Sequence, residues 1–220
     1  MSKATDEARR FEMVLRQIER RGTGSPRLLE AMRRLPRHLF LRPADRGQAY
    51  EDRPVPIGYG QTLSQPFISA YMTHCLALRG DERVLELGTG SGYQTALLAM
   101  LSAEVLSVEI EPELARRARR VLRRLGFTNV KIRVGDGLRG WAGRAPFDRI
   151  LLTAAVEEVP DALLDELAPG GLLIAPVGGE RSQRLVRVAR HGEGFRREEL
   201  LPVVFVPVHR VPASQAREAR

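Results

Sequence analysis

Residues 83–95 have the sequence RVLELGTGSGYQT, and this stretch decides the fold class of the chain. Its first half is a short apolar segment typical of a buried strand, and three glycines in a GxGxG pattern follow. Glycine lets the backbone turn sharply and approach a ligand without a Cβ clash. Residues 93–101 then fit a helix. Because α/β folds bind ligands between a strand end and a helix N-terminus, the stretch predicts a nucleoside-cofactor site.

The glycine spacing and a preceding acid indicate which cofactor is bound. Dinucleotide-binding loops have the pattern GxGxxG, whereas this loop is GxGxG and carries Glu86 two residues before Gly88. A carboxylate repels a pyrophosphate and suits the ammonium and sulfonium groups of S-adenosylmethionine. A second predicted strand, EVLSVE, ends in Glu109, at the usual spacing of a ribose-binding acid. These residues favour S-adenosylmethionine over NAD; a tight turn that binds no ligand is the alternative.

Length and composition predict one α/β domain with a modest extension. The 220 residues are enough to bury a full core but leave no room for a second catalytic domain. No apolar run reaches the roughly 18 residues of a membrane span, and the polar N-terminus lacks the apolar centre of a signal peptide. The single cysteine, Cys75, excludes an internal disulfide, and we expect a cytoplasmic protein without a membrane partner.

The chain is basic, with a formal net charge of +8. Its most basic stretch, ARRARRVLRR at residues 115–124, also carries an apolar stripe at helical spacing, formed by Leu114, Ala118, Leu122 and Leu125. We therefore interpret its arginines as a solvated helix face and expect no specific nucleic-acid partner. The four histidines show no spacing typical of a metal site, so no metal is expected.

The order of elements predicts a doubly wound, Rossmann-like fold of the class I S-adenosylmethionine-dependent methyltransferases. Residues 1–80 form a helical N-terminal extension with a substrate loop, residues 81–210 the methyltransferase domain, and residues 211–220 a mobile tail. The last two strands, RLVRVAR and ELLPVVFVPV, are joined by a short HGEGF connection, which predicts a closing antiparallel hairpin.

Within the extension, residues 7–21 and 66–78 are predicted as helices, and Ser25 with Pro26 marks the start of another. Residues 52–65 hold prolines and glycines with too little periodicity for regular structure, so we expect a long functional loop there. Further along, residues 159–167 are predicted as a helix.

Several motifs together resemble the protein-L-isoaspartate O-methyltransferase family. They are IGYGQTLSQP before the glycine loop, LELGTGSGYQT within it, GDG after the third strand of the domain, APFD before the fourth, and PGG with APVG around the fifth. The resemblance covers nearly the whole chain, from about residue 11 to residue 208, and residues 58–66 are its most family-specific part.

The resemblance implies methyl transfer from S-adenosylmethionine to the free α-carboxylate of isoaspartyl residues in damaged peptides and proteins, followed by cyclisation to a succinimide. It also implies that Gly88, Gly90 and Gly92, with Thr89, line the cofactor and that Glu109 accepts the ribose hydroxyls. Glu86 acts through charge and loop geometry. Asp136, next to Gly137, reaches the adenine amine, although Asp-Gly is also a common turn. We expect the enzyme to act as a monomer.

The family motifs contain no general base, and the chemistry of the carboxylate that accepts the methyl group explains why. A carboxylate with a pKa near 4 is already ionised at pH 7, so the acceptor requires orientation rather than deprotonation. A neutral hydroxyl suits this task, and Ser64, preceded by Thr62 and Leu63, matches the family's active-site serine. Judged on the residues alone, Ser64 is equally well explained as the N-cap of the following helix.

The last strand offers a way to distinguish isoaspartate from aspartate. Both carboxylates have similar charge, so a site that pins the peptide backbone must discriminate by geometry. The segment VVFVPV, with Phe205 and Val206 as candidate substrate-binding residues, is interpreted as an edge strand that pairs with the peptide. A plain core strand is the alternative.

Two other classes of function fit parts of the sequence. A nucleic-acid base methyltransferase, or an enzyme for another anionic substrate, suits the positive charge, but residues 153–156 read TAAV where an Asn/Asp-Pro-Pro-aromatic loop is expected. Cys75 precedes the glycine loop, which is the wrong place for a cytosine C5 nucleophile. A non-catalytic cofactor-fold module would not need Ser64 beside an intact glycine loop.

Overall fold

The computed structural model describes residues 3–179 and 182–208. Helices dominate the first part of the chain, which comprises α1 (Lys3–Gln17), α2 (Pro26–Arg34), a hairpin of β1 (Val55–Gly58) and β2 (Gln61–Leu63), and α3 (Pro66–Cys75). Short 3-10 turns at Glu19–Arg21, Arg37–Phe40 and Pro43–Gln48 connect these elements. Helix α2 begins as predicted, because the Ser25 hydroxyl accepts a hydrogen bond from the Leu28 amide at 3.3 Å and Pro26 holds the first helical position.

A seven-stranded sheet forms the rest of the molecule. In chain order its elements are β3 (Arg83–Leu87), α4 (Tyr93–Ala99), β4 (Glu104–Glu109), α5 (Pro112–Arg124), β5 (Val130–Val134), β6 (Phe147–Leu152), α6 (Asp161–Asp165), β7 (Leu167–Gly179), β8 (Ser182–His191) and β9 (Gly194–Val203). The spatial order is β5-β4-β3-β6-β7-β8-β9, with the first five strands parallel and the last two antiparallel. This arrangement confirms the predicted doubly wound fold and its closing hairpin.

Apolar strands buried on both faces hold the sheet together. Val84 and Leu85 of β3 are fully buried, and so are Val105 and Leu106 of β4. Each such side chain contributes about 1.5 to 3 kcal/mol relative to an exposed one. The chain leaves β3 towards β4 on one side and later returns to β6 on the other. The carboxyl ends of β3 and β6 therefore flank the crevice in which open α/β sheets bind ligands.

Helix α5 follows the predicted pattern of an amphipathic surface helix. Its stripe of Leu114, Ala118 and Leu122 is buried against the sheet, while Arg116, Arg119, Arg120, Arg123 and Arg124 are exposed. The arginine face is thus solvated, as the sequence indicates. Among the described residues no helix is both long enough and apolar enough to cross a membrane.

The expected long loop at residues 52–65 is instead a hairpin. Val55, Ile57 and Leu63 are buried, so the segment has an apolar face despite its prolines and glycines. The turn between its strands places Tyr59 at a φ of 55°, in the left-handed region, between two glycines that also have positive φ. The prolines and glycines of this segment are typical of turns, and each strand is too short to show a clear apolar alternation in the sequence.

Three predicted boundaries are also wrong. The helix predicted at residues 159–167 is the single short turn of α6, because Leu167 already pairs with Phe147 as the first residue of β7. The first helix begins earlier than residue 7 and ends at Gln17, where a 3-10 turn takes over. The last strand ends at Val203, so most of VVFVPV lies beyond it. The predicted tail at residues 211–220 lies outside the described residues.

Candidate functional site

A cavity that is partly open to solvent lies at the carboxyl ends of β3, β4 and β6. We call residues 88–91, residues 108–110 and Gly137 the glycine wall. We call residues 61–64 and 205–208 the serine wall. Thr153 and Ala154, which follow β6, also line the cavity. The cavity therefore brings together residues from both halves of the chain.

Main-chain hydrogen bonds and close packing set the shape of the glycine wall. The Gly88 amide donates to the Val108 carbonyl at 2.8 Å, which continues the pairing of β3 with β4 past the end of the strand. Gly88 has a φ of 95°, and a Cβ at this position would overlap the Thr153 hydroxyl oxygen. That hydroxyl donates to the Gly88 carbonyl at 2.7 Å. A side chain at Gly88 would therefore displace Thr153, and the close approach of the loop to Thr153 requires glycine.

Glu109, at the end of β4, lines the cavity and also fixes the loop. One carboxylate oxygen accepts a hydrogen bond from the Gly90 amide at 2.7 Å, and the other accepts from the Glu111 amide at 2.9 Å. Burial raises the pKa of Glu109, while these amide donors oppose the shift. Each carboxylate oxygen has more than one lone pair, so both can accept a further hydroxyl donor from the cavity.

Glu86 lies behind the glycine loop and is not among the residues that line the cavity. One of its oxygens accepts hydrogen bonds from the hydroxyls of Thr95, at 2.5 Å, and Ser107, at 2.6 Å. Thr89 joins this network through a 2.6 Å contact with the Ser107 hydroxyl. The other Glu86 oxygen is buried without a partner among the described residues.

Burial raises the pKa of Glu86 from 4.5 to about 8, the hydroxyl donors only partly opposing this shift. The Glu86 carboxyl group is therefore mostly protonated at pH 7. The sequence analysis expected Glu86 to act through its negative charge, and this part of the prediction is wrong because burial favours the neutral form. Its hydrogen bonds to Thr95 and Ser107 instead join the strands and the helix beneath the loop.

Two further predicted cofactor residues lie beside the cavity rather than on its surface. Gly92 is the N-cap of α4, where a Cβ would contact Ala118 at 3.1 Å, so it serves helix packing. Asp136 accepts a hydrogen bond from the Leu138 amide at 3.0 Å and caps the turn at Gly137–Arg139. Gly137 does line the cavity. The adenine contact expected of Asp136 stays a prediction.

The serine wall presents Ser64 to the cavity. Thr62, Leu63 and Ser64 all line it, and the Ser64 hydroxyl makes no hydrogen bond to any other described residue. The N-cap of α3 is Gln65, which makes no side-chain capping bond. The alternative interpretation of Ser64 as a helix cap is therefore wrong. Its hydroxyl is available to a ligand.

Arg37 holds Ser64 in place through the main chain. It is fully buried, and its guanidinium donates to the Ser64 carbonyl at 2.6 Å and to the Ala49 carbonyl at 2.7 Å. The guanidinium also stacks over the Tyr93 ring, 4.8 Å from its centroid. Burial lowers the pKa of Arg37 to about 10, so the group keeps its charge at neutral pH. Two carbonyl acceptors and an aromatic face replace part of the water that this cation loses, and Nη1 is buried without a partner among the described residues.

The second segment of the serine wall, residues 205–208, is held by side-chain and isolated backbone contacts. The Gln183 amide group bonds to both the amide and the carbonyl of Phe205. Ala155 donates to the Val206 carbonyl at 2.9 Å and accepts from the Val208 amide at 2.8 Å. Phe205 and Val206 line the cavity, but as an irregular segment rather than the predicted edge strand.

A wider groove continues from the serine wall across the surface. It shares Thr62, Ser64, Phe205 and Val206 with the cavity and extends past Gln183 and Pro202. Its free volume is about 1670 Å³, and apolar side chains make up much of its lining. The groove gives an extended molecule access to the Ser64 hydroxyl.

Sequence reasoning missed Arg37, Thr153 and Gln183. Nothing in the sequence indicates which carbonyl Arg37 or Gln183 meets. In the described part of the chain, no group of three His, Cys, Asp or Glu side chains is arranged to hold a metal ion.

The arrangement suits a transfer between two bound molecules. The glycine wall offers main-chain groups, a carboxylate and a close approach to the backbone, while the serine wall offers a neutral hydroxyl. No lysine, arginine or histidine is among the described residues that line the cavity. An anionic nucleophile there would keep its reactivity, because no cation neutralises it.

Comparison with known proteins identifies relatives across nearly the whole chain. The family model described as protein-L-isoaspartate(D-aspartate) O-methyltransferase matches residues 9–212. A protein-L-isoaspartate O-methyltransferase of Syntrophus aciditrophicus (strain SB) is 54% identical over 184 residues, which cover 84% of either chain. One of Myxococcus xanthus (strain DK1622) is 54% identical over 202 residues, covering 90% of this chain and 95% of that protein.

Solved structures show the same fold. A protein-L-isoaspartate O-methyltransferase structure aligns with a TM-score of 0.82 and 28% identity, covering 92% of this chain and 66% of that one. A putative enzyme of the same name from Plasmodium falciparum, in complex with S-adenosyl-L-homocysteine, aligns with a TM-score of 0.79 and 24% identity. That alignment covers 91% of this chain and 98% of the other, and at this identity it shows the fold alone.

Proposed function

We infer the roles of individual residues from the premise that this chain belongs to the protein-L-isoaspartate(D-aspartate) O-methyltransferase family. It transfers a methyl group from S-adenosylmethionine to the free α-carboxylate of L-isoaspartyl residues in damaged peptides and proteins. The methyl ester is a better acyl electrophile than the carboxylate, so it closes to a succinimide without the enzyme. Hydrolysis of that ring returns some normal aspartate, and repeated cycles amount to repair.

The glycine wall holds the cofactor in this proposal. S-adenosylmethionine supplies an electrophilic methyl group on a positively charged sulfur. Gly88, Thr89 and Gly90 offer it a backbone loop on the cavity surface, and Glu109 accepts hydrogen bonds from the ribose hydroxyls. Glu86 supports the loop from behind through Thr95 and Ser107. Gly137 borders the same cavity, which supports an adenine position near Asp136.

Ser64 orients the acceptor carboxylate. The acceptor is ionised at neutral pH and requires no general base. The unengaged Ser64 hydroxyl donates one hydrogen bond to a carboxylate oxygen and leaves the other oxygen free to attack the methyl group. A neutral donor orients the nucleophile without neutralising it.

One observation carries this assignment: Gly88, Gly90 and Glu109 line the same cavity as Ser64. The two reacting groups would therefore meet inside it. The open groove beside Ser64 supports an extended peptide as the acceptor.

Transfer of a tritiated methyl group to matched acceptors tests the proposal. The acceptors are an isoaspartyl peptide, the same peptide with a normal aspartyl residue, and bulk RNA. We expect base-labile label in the isoaspartyl peptide alone, because a methyl ester hydrolyses at high pH whereas an N-methyl group does not. Equal labelling of both peptides, or label in RNA, would contradict the proposal.

The same proposal includes a monomer that acts in the cytoplasm without a specific nucleic-acid partner. One chain supplies both walls of the cavity, so catalysis needs no second copy. A single cysteine agrees with a reducing compartment. The basic face of α5 lies outside the cavity lining, so its charge is not directed at the reaction. Sedimentation across a range of concentrations tests the monomer, and specific activity independent of concentration is expected.

A further inference from the structure

A buried glutamine side chain takes the place of a strand partner at the serine wall. Strand β9 ends at Val203, which pairs with Gln183 of β8. The Phe205 amide then donates to the Gln183 side-chain oxygen at 2.7 Å, and the Gln183 side-chain amide donates to the Phe205 carbonyl at 3.1 Å. Gln183 is only 3% exposed. One side chain thus satisfies both main-chain groups of one residue.

Phe205 lies at the junction of the cavity and the groove, where the acceptor peptide would bind. It lines both the cavity and the wider groove, and its neighbour Val206 does the same. Val206 is tied to Ala155 through its carbonyl, so Gln183 and Ala155 hold the segment from two directions. Without the contact to Gln183, the backbone at Phe205 would be free to rotate while residues 206–208 stay attached.

The chemistry of the contact demands an amide. Pairing with one amide and one carbonyl of the same residue requires a donor and an acceptor side by side, which glutamine provides and a carboxylate does not. Gln183 is buried and Phe205 is partly buried, so a mismatched group at position 183 leaves a polar atom unpaired where water is scarce. The contact therefore requires glutamine at position 183, whereas a place near the end of a strand would by itself accept other residue types.

We propose that Gln183 is a positioning residue for the peptide acceptor, because its side chain fixes the Phe205 backbone at the junction of cavity and groove. The inference rests on the proposed function and deepens it. Gln183 lines the groove but is not among the residues that line the cavity, so it influences the reacting groups through the position of Phe205. Its loss should change peptide KM and leave cofactor binding unchanged.

Gln183→Glu, assayed at two pH values, tests the proposal. At pH 8 the introduced carboxylate accepts from the Phe205 amide but repels the Phe205 carbonyl, and we expect peptide KM to rise at least about fivefold relative to wild type. The cofactor Kd should stay within about twofold, because the glycine wall is untouched. At pH 5.5 peptide KM should return towards wild type, since a protonated carboxyl both donates and accepts.

The surroundings of Gln183 favour this recovery at low pH. Burial at this position raises the pKa of an introduced carboxyl group, which keeps it protonated at pH 5.5. Arg184 is the one charged side chain among the described residues that line the groove, and it is paired with Glu199 at 2.7 Å. Dividing the peptide KM of the variant by that of wild type at each pH removes the effects of pH on the peptide and on the rest of the enzyme.

Gln17→Glu is the matched control. The Gln17 side chain also donates to a main-chain carbonyl, that of Tyr50 at 2.9 Å, in a partly buried place away from the cavity. This variant loses the same kind of hydrogen bond, so its Tm should fall. Its peptide KM should match wild type at both pH values. A KM rise in Gln17→Glu as large as that in Gln183→Glu would show a general effect of destabilisation and overturn the proposal.

Gln183→Met keeps the test decisive if the charged variant fails to fold at pH 8. Methionine has similar length and no hydrogen-bonding amide, so we expect raised peptide KM at both pH values without recovery at pH 5.5. Unchanged KM in either folded variant would overturn the role of Gln183. Failure of wild type to methylate the isoaspartyl peptide would instead overturn the proposed function, so the two failures are distinct.

Discussion

The two walls of the cavity are built in different ways. The glycine wall continues three neighbouring parallel strands, and main-chain hydrogen bonds such as the one from Gly88 to Val108 determine its shape. The serine wall consists of a very short strand and an irregular segment, which depend on the side chains of Arg37 and Gln183. Main-chain hydrogen bonds thus determine most of the glycine wall, whereas the serine wall also depends on buried side chains that are distant in the sequence.

Because the two walls are held differently, we expect substitutions to affect binding of the cofactor and binding of the acceptor peptide separately. A wall built from main-chain contacts tolerates changes at most side chains, so its ligand is sensitive chiefly to glycines and to Glu109. A wall held by single side chains can be displaced by one substitution far along the chain. Substitutions in the glycine wall should therefore change cofactor affinity, and substitutions in or behind the serine wall should change acceptor kinetics. Each prediction below tests that separation.

The largest effect is expected from Gly90→Val. Gly90 has a φ of 54°, and a Cβ there would lie 3.4 Å from the Ile57 side chain. A branched side chain would strain the loop, displace Ile57 and fill cavity space. We expect calorimetry to show cofactor affinity lowered by at least about a thousandfold, since φ in the left-handed region disfavours a β-branched residue even without a clash.

Gly126→Val provides the control for backbone strain. Gly126 also has a positive φ, of 82°, but a Cβ there would meet no atom within 4 Å, and the residue follows α5 away from the cavity. This variant should be less stable and should bind the cofactor normally. Equal loss of affinity in both variants would mean that strain, rather than the shape of the glycine wall, determines binding.

Ser64→Ala should lower kcat by about ten- to a thousandfold, bounded above by the loss of an oxyanion-hole donor. Cofactor Kd should barely change, because Ser64 belongs to the serine wall. Its Tm should match wild type, since Ser64 caps no helix. Steady-state kinetics with an isoaspartyl peptide and a thermal melt measure these quantities.

The matched serine is Ser25, which does cap a helix. Ser25→Ala should lose about 1 kcal/mol of stability and retain its turnover. The two serine variants should therefore show opposite patterns. Retained turnover in Ser64→Ala would remove Ser64 from the reaction and leave the serine wall without a catalytic group.

Glu109→Ala should weaken cofactor binding by about 1.5 to 3 kcal/mol, the range for hydrogen bonds to a charged group. The carboxylate holds the Gly90 amide and faces the cavity, so both the loop and the ribose contact are affected. Calorimetric titration of the folded variant measures the change, and peptide KM at saturating cofactor should stay near wild type.

Glu82→Ala separates ligand contact from loss of stability. Glu82 also accepts two main-chain amides, from Arg79 at 2.8 Å and Gly80 at 2.9 Å, and it lies outside the cavity lining. Its loss should lower stability without changing cofactor affinity. Unchanged affinity in Glu109→Ala would refute the ribose contact.

The smallest expected effect concerns the network beneath the glycine wall. The folded protein retains the Glu86 proton up to about pH 8, whereas an unfolded chain releases it near the ordinary pKa of 4.5. The folded state therefore binds more protons in this window, and stability from this group falls as pH rises through it. Glu86→Gln should remove that part of the pH dependence.

Urea unfolding at pH 5 and pH 8 measures the difference between wild type and Glu86→Gln. We expect the difference to change by at least about 1 kcal/mol between the two pH values, since one pKa unit corresponds to about 1.4 kcal/mol. Glu104→Gln is the control, because Lys131 holds the pKa of Glu104 below its ordinary value and its contribution is lost only at lower pH. A constant difference for Glu86→Gln would show that its carboxyl is ionised throughout.

The sequence predicted the glycine wall far better than the serine wall. The parallel strands, the glycine loop and Glu109 are close together in the chain, and their spacing alone brings them to one edge of the sheet. Ser64 was proposed through the family resemblance, and Phe205 and Val206 were proposed as part of an edge strand that pairs with the peptide. The structure places all three on the cavity, although the edge strand is absent there among the described residues. The hairpin at β1 and β2 was missed because prolines and glycines hid its short apolar alternation.

Periodicity and glycine spacing by themselves determined the doubly wound fold, the order of its elements along the chain and the place of the cofactor loop, because local backbone preferences and burial act over a few residues. Only the tertiary structure decided that Arg37 meets the Ser64 carbonyl, that Gln183 replaces a strand partner for Phe205, and that Glu86 is shielded enough to keep its proton. Each of these depends on which distant groups become neighbours after folding and on how much water they lose, and no local pattern encodes either quantity.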